Sequence, residues 1–147
     1  MPSLGERLQA ALNEARKSRD SARTLLFSTI LADFKNREFE LRRPLADEDG
    51  VEVVRRGIKQ RREAAEQFGA VGRRDRAEAE LAEVAALEAY LPAQIAPEEI
   101  RAVVRAVIAG GATDLGKVMA QVMPQLKGRA EGKLINQIAR EELSARV

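Results

Sequence analysis

The sequence has no cysteine, no histidine and no tryptophan. The first two absences remove thiolate and imidazole nucleophiles, Cys/His zinc sites, disulfides and any histidine pH switch. Aromatic residues make up only 3% of the chain, so its core must be built from Leu, Ile, Val and Ala. Long apolar runs are missing too. The longest, "TLLFSTILA" (24–32), is about half the length that a membrane span needs, so no membrane partner is expected. The amino end, "MPSLGERLQAALNEARK", carries no apolar signal core, and its two glutamates argue against a transit peptide. A soluble, cytoplasmic protein is expected. Neither charge sign dominates: the net charge of +2 permits a nucleic-acid partner without arguing for one.

What remains is 147 residues, 45% of them apolar, with a helical rhythm throughout. A chain of this size buries about 70% of the surface that its unfolded form exposes. Ser3 and Glu6 form a capping box ahead of Leu4, Leu8, Ala11, Leu12 and Ala15 on one face. Asp20 or Ser21 can cap a second helix in which Leu26, Ile30 and Phe34 recur every four residues, with Pro44 shortly beyond its end. Asp47 opens a third helix with Val51, Val54, Ile58, Ala65 and Phe68, broken by Gly69 and Gly72. A fourth, from about Arg74 to Tyr90, would bury Ala77, Leu81, Val84 and Leu87 or Leu91.

"LPAQIAPEE" (91–99) has the character of a hinge, bracketed by Pro92 and Pro97. Pro97 suits a first helical position, with Glu98 and Glu99 at the positive end of the helix dipole. Three shorter helices follow. The first carries Ile100, Val103, Val104, Val107 and Ile108 and stops at Gly110–Gly111. The second, capped by Thr113, carries Leu115, Val118, Met119, Val122 and Met123; the third carries Leu134, Ile135, Ile138 and Leu143. The expected fold is all-α: a four-helix bundle over residues 1–92 and a small three-helix domain over 97–147, joined by the proline-containing hinge. About 50 residues give a marginal core, so the second domain would lean on the first or on a partner.

Side chains give no active site. The serines, at 3, 18, 21, 28 and 144, lie at caps, on helices or at the chain end, without a nucleophile elbow. Glu78, Glu80 and Glu83 belong to a charged helix face, and no Asp-rich metal pattern occurs. No catalytic residue, metal or cofactor is expected. Met119 and Met123 fall on the apolar stripe, which suits core packing.

Two basic stretches remain. In "LKGRAEGKL" (126–134), Lys127, Arg129 and Lys133 would cluster near the start of the last helix, with Pro124 ending the helix before it and the next beginning near Ala130–Glu131. Unpartnered backbone N–H groups at such a terminus favour anions, phosphate above all. Gly128 and Gly132 would allow a sugar-phosphate backbone close approach. The pattern is not a P-loop: its spacing is G-x-x-x-G-K, Leu134 follows, and no strand precedes it. Spacing alone favours a capped turn with solvated charges. "RRGIKQRR" (55–62) holds five cations in eight positions. There Glu52–Arg56, Lys59–Glu63 and Arg62–Glu66 can pair at i,i+4, leaving Arg55 and Arg61 over to meet phosphate, and a solvated helix face is the simpler reading.

Three segments carry a resemblance: "FKNREFEL" (34–41), "IKQRREAAEQFGAVGRRDRAEAELAEVAALEAYLPAQI" (58–95) and "ATDLGKVMAQVMPQLKGRAEGKLINQI" (112–138). In order and spacing they resemble the motifs of the bacterial GatB/YqeY domain family, and the length resembles its stand-alone YqeY-like members. The shared region is also the tail of the B subunit of the glutamine-dependent amidotransferase acting on mischarged Glu-tRNA or Asp-tRNA, where the tail helps grip the tRNA. The family label, a carbon–nitrogen ligase with glutamine as amido-N donor, belongs to that complex, whose cradle domain and amidase subunit are not in this sequence. The resemblance implies a non-catalytic tRNA-binding module, with the basic glycine motif on Lys127, Gly128, Arg129, Gly132 and Lys133, and Asn136 one turn further on. An accessory to the amidotransferase or to a tRNA synthetase complex, or a protein–protein scaffold, are the alternatives. Two departures stand out: Glu131, where the family more often has Asp, and Gly57 inside the third helix, which costs about 1 kcal/mol against Ala.

Overall fold

The computed structural model describes residues 1–126 and 128–146. Among these the chain is all-helical, with seven helices: α1 (Leu4–Lys17), α2 (Ser21–Leu41), α3 (Asp47–Ala70), α4 (Arg74–Glu88), α5 (Pro97–Ala109), α6 (Leu115–Leu126) and α7 (Gly132–Ser144). Contacts divide the chain into an amino-terminal unit, Met1–Leu91, and a carboxyl-terminal unit, Pro92–Val147.

In the amino-terminal unit α1 pairs with α2 and α3 with α4, and the pairs meet through α2–α3 and α1–α3. Ser3 caps α1, its hydroxyl accepting the Glu6 N–H at 3.1 Å. The stripe Leu4, Leu8, Leu12 and Ala15 is buried. α1 then ends in a Schellman wrap, in which the Asp20 N–H donates to the Ala15 carbonyl at 2.9 Å and Arg19 takes φ +58°. Glycine usually fills that left-handed slot, and another residue there costs about 1–2 kcal/mol. Of the two candidate caps for α2, Asp20 is the one used, accepting the Arg23 N–H at 3.0 Å.

α2 buries Leu26, Phe27, Ile30 and Phe34. Phe27 falls outside the every-fourth-residue repeat; its ring meets Tyr90 edge-on at 5.6 Å. Between α2 and α3, Arg43 grips Asp49 with both terminal nitrogens, at 2.7 and 3.2 Å. Asp49 also accepts the Ala46 N–H at 3.1 Å, and Asp47 accepts the Leu4 N–H at 3.1 Å. Those carboxylates explain why the third helix starts at Asp47: they hold the chain at the turn.

α4 departs from expectation. It stops at Glu88, short of Tyr90, and buries Val84, Ala86 and Leu87, while Leu81 is 50% exposed. α4 packs chiefly against α3, so only a narrow stripe is covered. Phe68 is likewise only partly buried.

In the carboxyl-terminal unit each of α5, α6 and α7 packs on the other two. Pro97 opens α5 with Glu98 and Glu99 in its first turn. The core holds Ile100, Val104, Val107, Ile108, Val118, Val122, Leu126, Ile135, Ile138 and Ala139, with Met119 and Met123 packed against it. Two expectations are corrected here. Asp114, not Thr113, caps α6 by accepting the Lys117 N–H at 2.9 Å. Pro124 does not end α6 but lies inside it. A proline has no N–H to give the carbonyl four residues back; two residues from the helix end that loss disrupts little. Beside it, the Gln125 side-chain amide donates to the Gln121 carbonyl at 3.0 Å.

α5 and α7 are clamped by charge. Arg101 donates to Glu142 at 2.9 Å and to Glu141 at 3.0 Å; Arg105 donates to Glu142 at 3.0 Å. Arg105 first and Arg101 second hold the buried Glu142 carboxyl below its usual range. Glu141 is lowered by Arg101 and then Gln137.

Candidate nucleic-acid interface

The segment from Leu126 to Gly132 turns the chain from α6 into α7. Gly128 is buried and takes φ +81°, a conformation that a side chain would strain. This glycine is thus required by the turn itself. The Arg129 N–H closes the turn onto the Leu126 carbonyl at 2.9 Å, and the Arg129 carbonyl accepts the Ile95 N–H at 3.1 Å. The backbone of Arg129 is therefore structural, while its side chain is exposed. Ala130 is buried beside it. Lys127 lies outside the described residues.

α7 begins at Gly132 with Glu131 as its N-cap, and no side-chain capping bond is made. Its first intrahelical bond is from the Ile135 N–H to the Glu131 carbonyl at 3.0 Å. The N–H groups of Gly132, Lys133 and Leu134 precede it and have no acceptor within the helix. A short Asp side chain at the cap can reach back to such groups; Glu131, one methylene longer, does not. Lys133 and Gly132 are exposed. A Cβ on Gly132 would meet only the Met123 methyl, at 3.6 Å, so packing does not require a glycine there. Asn136 is half-buried one turn on, and its side-chain Oδ1 accepts from Arg140 Nε at 2.8 Å.

The turn thus gathers Gly128, Arg129, Gly132 and Lys133, with Asn136 on the next turn of helix. Arg140, not among the residues expected from sequence, touches this group only through Asn136; its i,i+4 spacing from Asn136 was the available signal. No ion pair involves Arg129, Lys133 or Arg140 among the described residues.

The other basic stretch is used differently. Arg61 donates to Glu83 at 2.8 Å and to the Gly57 carbonyl at 3.0 Å, so it is not left over to meet phosphate. Arg62 reaches across to Glu88 at 2.7 Å rather than along α3 to Glu66. Arg55 is half-buried. Arg61 and Arg62 tie α3 to α4.

Among the described residues no group of three or more acidic side chains could hold a metal ion. Among the described residues no helix is long and apolar enough to cross a membrane. No curated protein matches the sequence. The sequence model of the YqeY-like protein family does, over residues 5–143. That span takes in the whole of α2 to α6, the basic turn and nearly all of α7, and the chain belongs to the YqeY-like protein family.

Proposed function

We propose that this protein is a non-catalytic RNA-binding module that grips the phosphate backbone of tRNA through the turn between α6 and α7. The residues are Lys127, Gly128, Arg129, Gly132, Lys133 and Asn136. The reading treats residues 97–147 as the binding domain and the four-helix part, residues 1–92, as a scaffold or a second contact surface.

The observation that carries it is the start of α7. Arg129 and Lys133 are exposed on either side of Glu131, whose side chain leaves the helix terminus uncapped. Free backbone donors with exposed cations close by in the chain suit a phosphate. Contacts of this kind position RNA without reading its bases, so affinity should depend steeply on salt and little on sequence.

Binding of bulk tRNA against salt concentration tests this, with wild type and Arg129→Glu/Lys133→Glu. The double variant should lose affinity and lower the slope of log K against log salt by about 1.4–1.8, at 0.7–0.9 per contact. Unchanged affinity and slope would remove the turn as a phosphate grip.

A further inference from the structure

We propose that the turn between α1 and α2 is a second, separate contact for the RNA phosphate backbone, made by Arg16, Lys17, Arg19 and Arg23; the proposal rests on the RNA-binding reading above. Residues 16–23 hold four cations against one carboxylate, Asp20. All four cations are exposed. Arg23 and Asp20 approach to 3.8 Å, with side chains 56% and 41% exposed, a loose pair that solvent screens. Among the described residues, no ion pair or side-chain hydrogen bond involves Arg16, Lys17 or Arg19. Glu14, the carboxylate nearest before Lys17, is exposed and pairs with none of them.

The contrast is with α3, where Arg61 and Arg62 spend their charge on Glu83 and Glu88. Fold stability accounts for part of the α1 cluster, because Arg16 and Lys17 stand in the last turn of α1, where the dipole favours cations. It does not account for Arg19. That residue occupies the left-handed slot of the Schellman wrap, at φ +58°, where glycine would sit without strain. Its exposed guanidinium gains nothing in return within the described fold. A residue that breaks a local rule without a structural return points to function. Three neighbouring unpaired cations on one hydrogen-bonded turn suit the closely spaced negative charges of a nucleic-acid backbone.

The position of Arg19 lets fold and function be separated. Arg19→Gly should raise the melting temperature while lowering tRNA affinity and reducing the salt slope by about 0.7–0.9. Arg16→Ala/Lys17→Ala/Arg19→Gly should reduce it by about 2–3. Both are compared with wild type and with Arg129→Glu/Lys133→Glu, with helicity checked by circular dichroism. If the triple variant keeps wild-type affinity and slope while the α6–α7 variant loses both, the proposal is overturned and the first reading stands. If the triple variant loses affinity and the α6–α7 variant does not, the α1–α2 turn stands and the first site falls. Failure of the wild type to bind tRNA at low salt overturns both.

Discussion

Arg61 and Glu83 join α3 to α4 at 2.8 Å, with side chains only 15% and 34% exposed. The same guanidinium lies over the Gly57 carbonyl at 3.0 Å. A Cβ on Gly57 would come within 3.1 Å of Arg61 Nη1 and 3.2 Å of Ile30 Cδ1. The glycine that weakens α3 as an isolated helix is what lets the arginine lie down. Arg61→Ala should therefore destabilise the fold by about 1–2 kcal/mol, read by urea denaturation. It should leave the salt dependence of tRNA binding unchanged; a lowered slope would return Arg61 to the candidate contacts.

Glycines at two other points of α3 should answer oppositely to the same change. A Cβ on Gly50 would meet two atoms of the Phe34 ring at 3.1 Å and Leu4 Cδ2 at 3.3 Å, whereas one on Gly69 would meet nothing within 4 Å. The Phe34 ring and Leu4 are both buried, so one of them must shift to admit the methyl. Gly50→Ala should lose about 1 kcal/mol net, overpacking outweighing the helix gain. Gly69→Ala should gain about 0.5–1 kcal/mol. Urea midpoints for the pair decide the matter, and a Gly50→Ala protein as stable as Gly69→Ala would show that Phe34 can swing aside.

The α5–α7 clamp should make the carboxyl-terminal unit acid-sensitive. Glu142, held by Arg105 and Arg101, and Glu141, held by Arg101, both titrate below the ordinary glutamate value of 4.5. A carboxyl with a lowered folded pKa binds protons more weakly in the folded state than in the unfolded one. Its contribution to stability is thus complete above the ordinary value and is lost as pH falls through the lowered one. Melting temperature should fall for the wild type below about pH 4.5. Glu142→Gln should melt lower at neutral pH and show a shallower decline in acid. Parallel pH profiles would mean that other carboxylates govern acid unfolding.

Within the basic turn the two glycines should separate by role. Gly128 is at φ +81°, so Gly128→Ala should cost about 1–2 kcal/mol in strain. Gly132 has ordinary backbone and open space, since a Cβ there would stand 3.6 Å from Met123 Cε. Gly132→Ala should fold as well as the wild type, so any loss of tRNA affinity it shows reports close approach of the ligand backbone. Full affinity in Gly132→Ala would confine the contact to side chains.

Much of this architecture was legible in the residues. Ser3, Asp20, Asp47 and Pro97 mark helix starts with local chemistry, and each stands where such a residue should. The rest depended on tertiary neighbours. Leu81 fits the helical stripe but meets no covering helix; Pro124 looks like a stop but falls where one lost hydrogen bond is tolerable. Arg61 reads as a spare cation until α4 brings Glu83 alongside. At the basic turn, sequence marked Arg129 and Lys133 as flanking the start of the last helix, but not that the Arg129 carbonyl would hold Ile95. The positive φ of Arg19 was hidden because nothing local in an arginine announces a left-handed turn.

The pairing of sequence neighbours in the amino-terminal unit also has a kinetic side. α1 docks on α2 and α3 on α4, so most of its contacts close short loops, and the Arg43–Asp49 grip spans only six residues. Chains with such low contact order fold fast, on microsecond to millisecond timescales. The slow step should be the union of the two hairpins, where distant partners such as Phe27 and Tyr90 first meet.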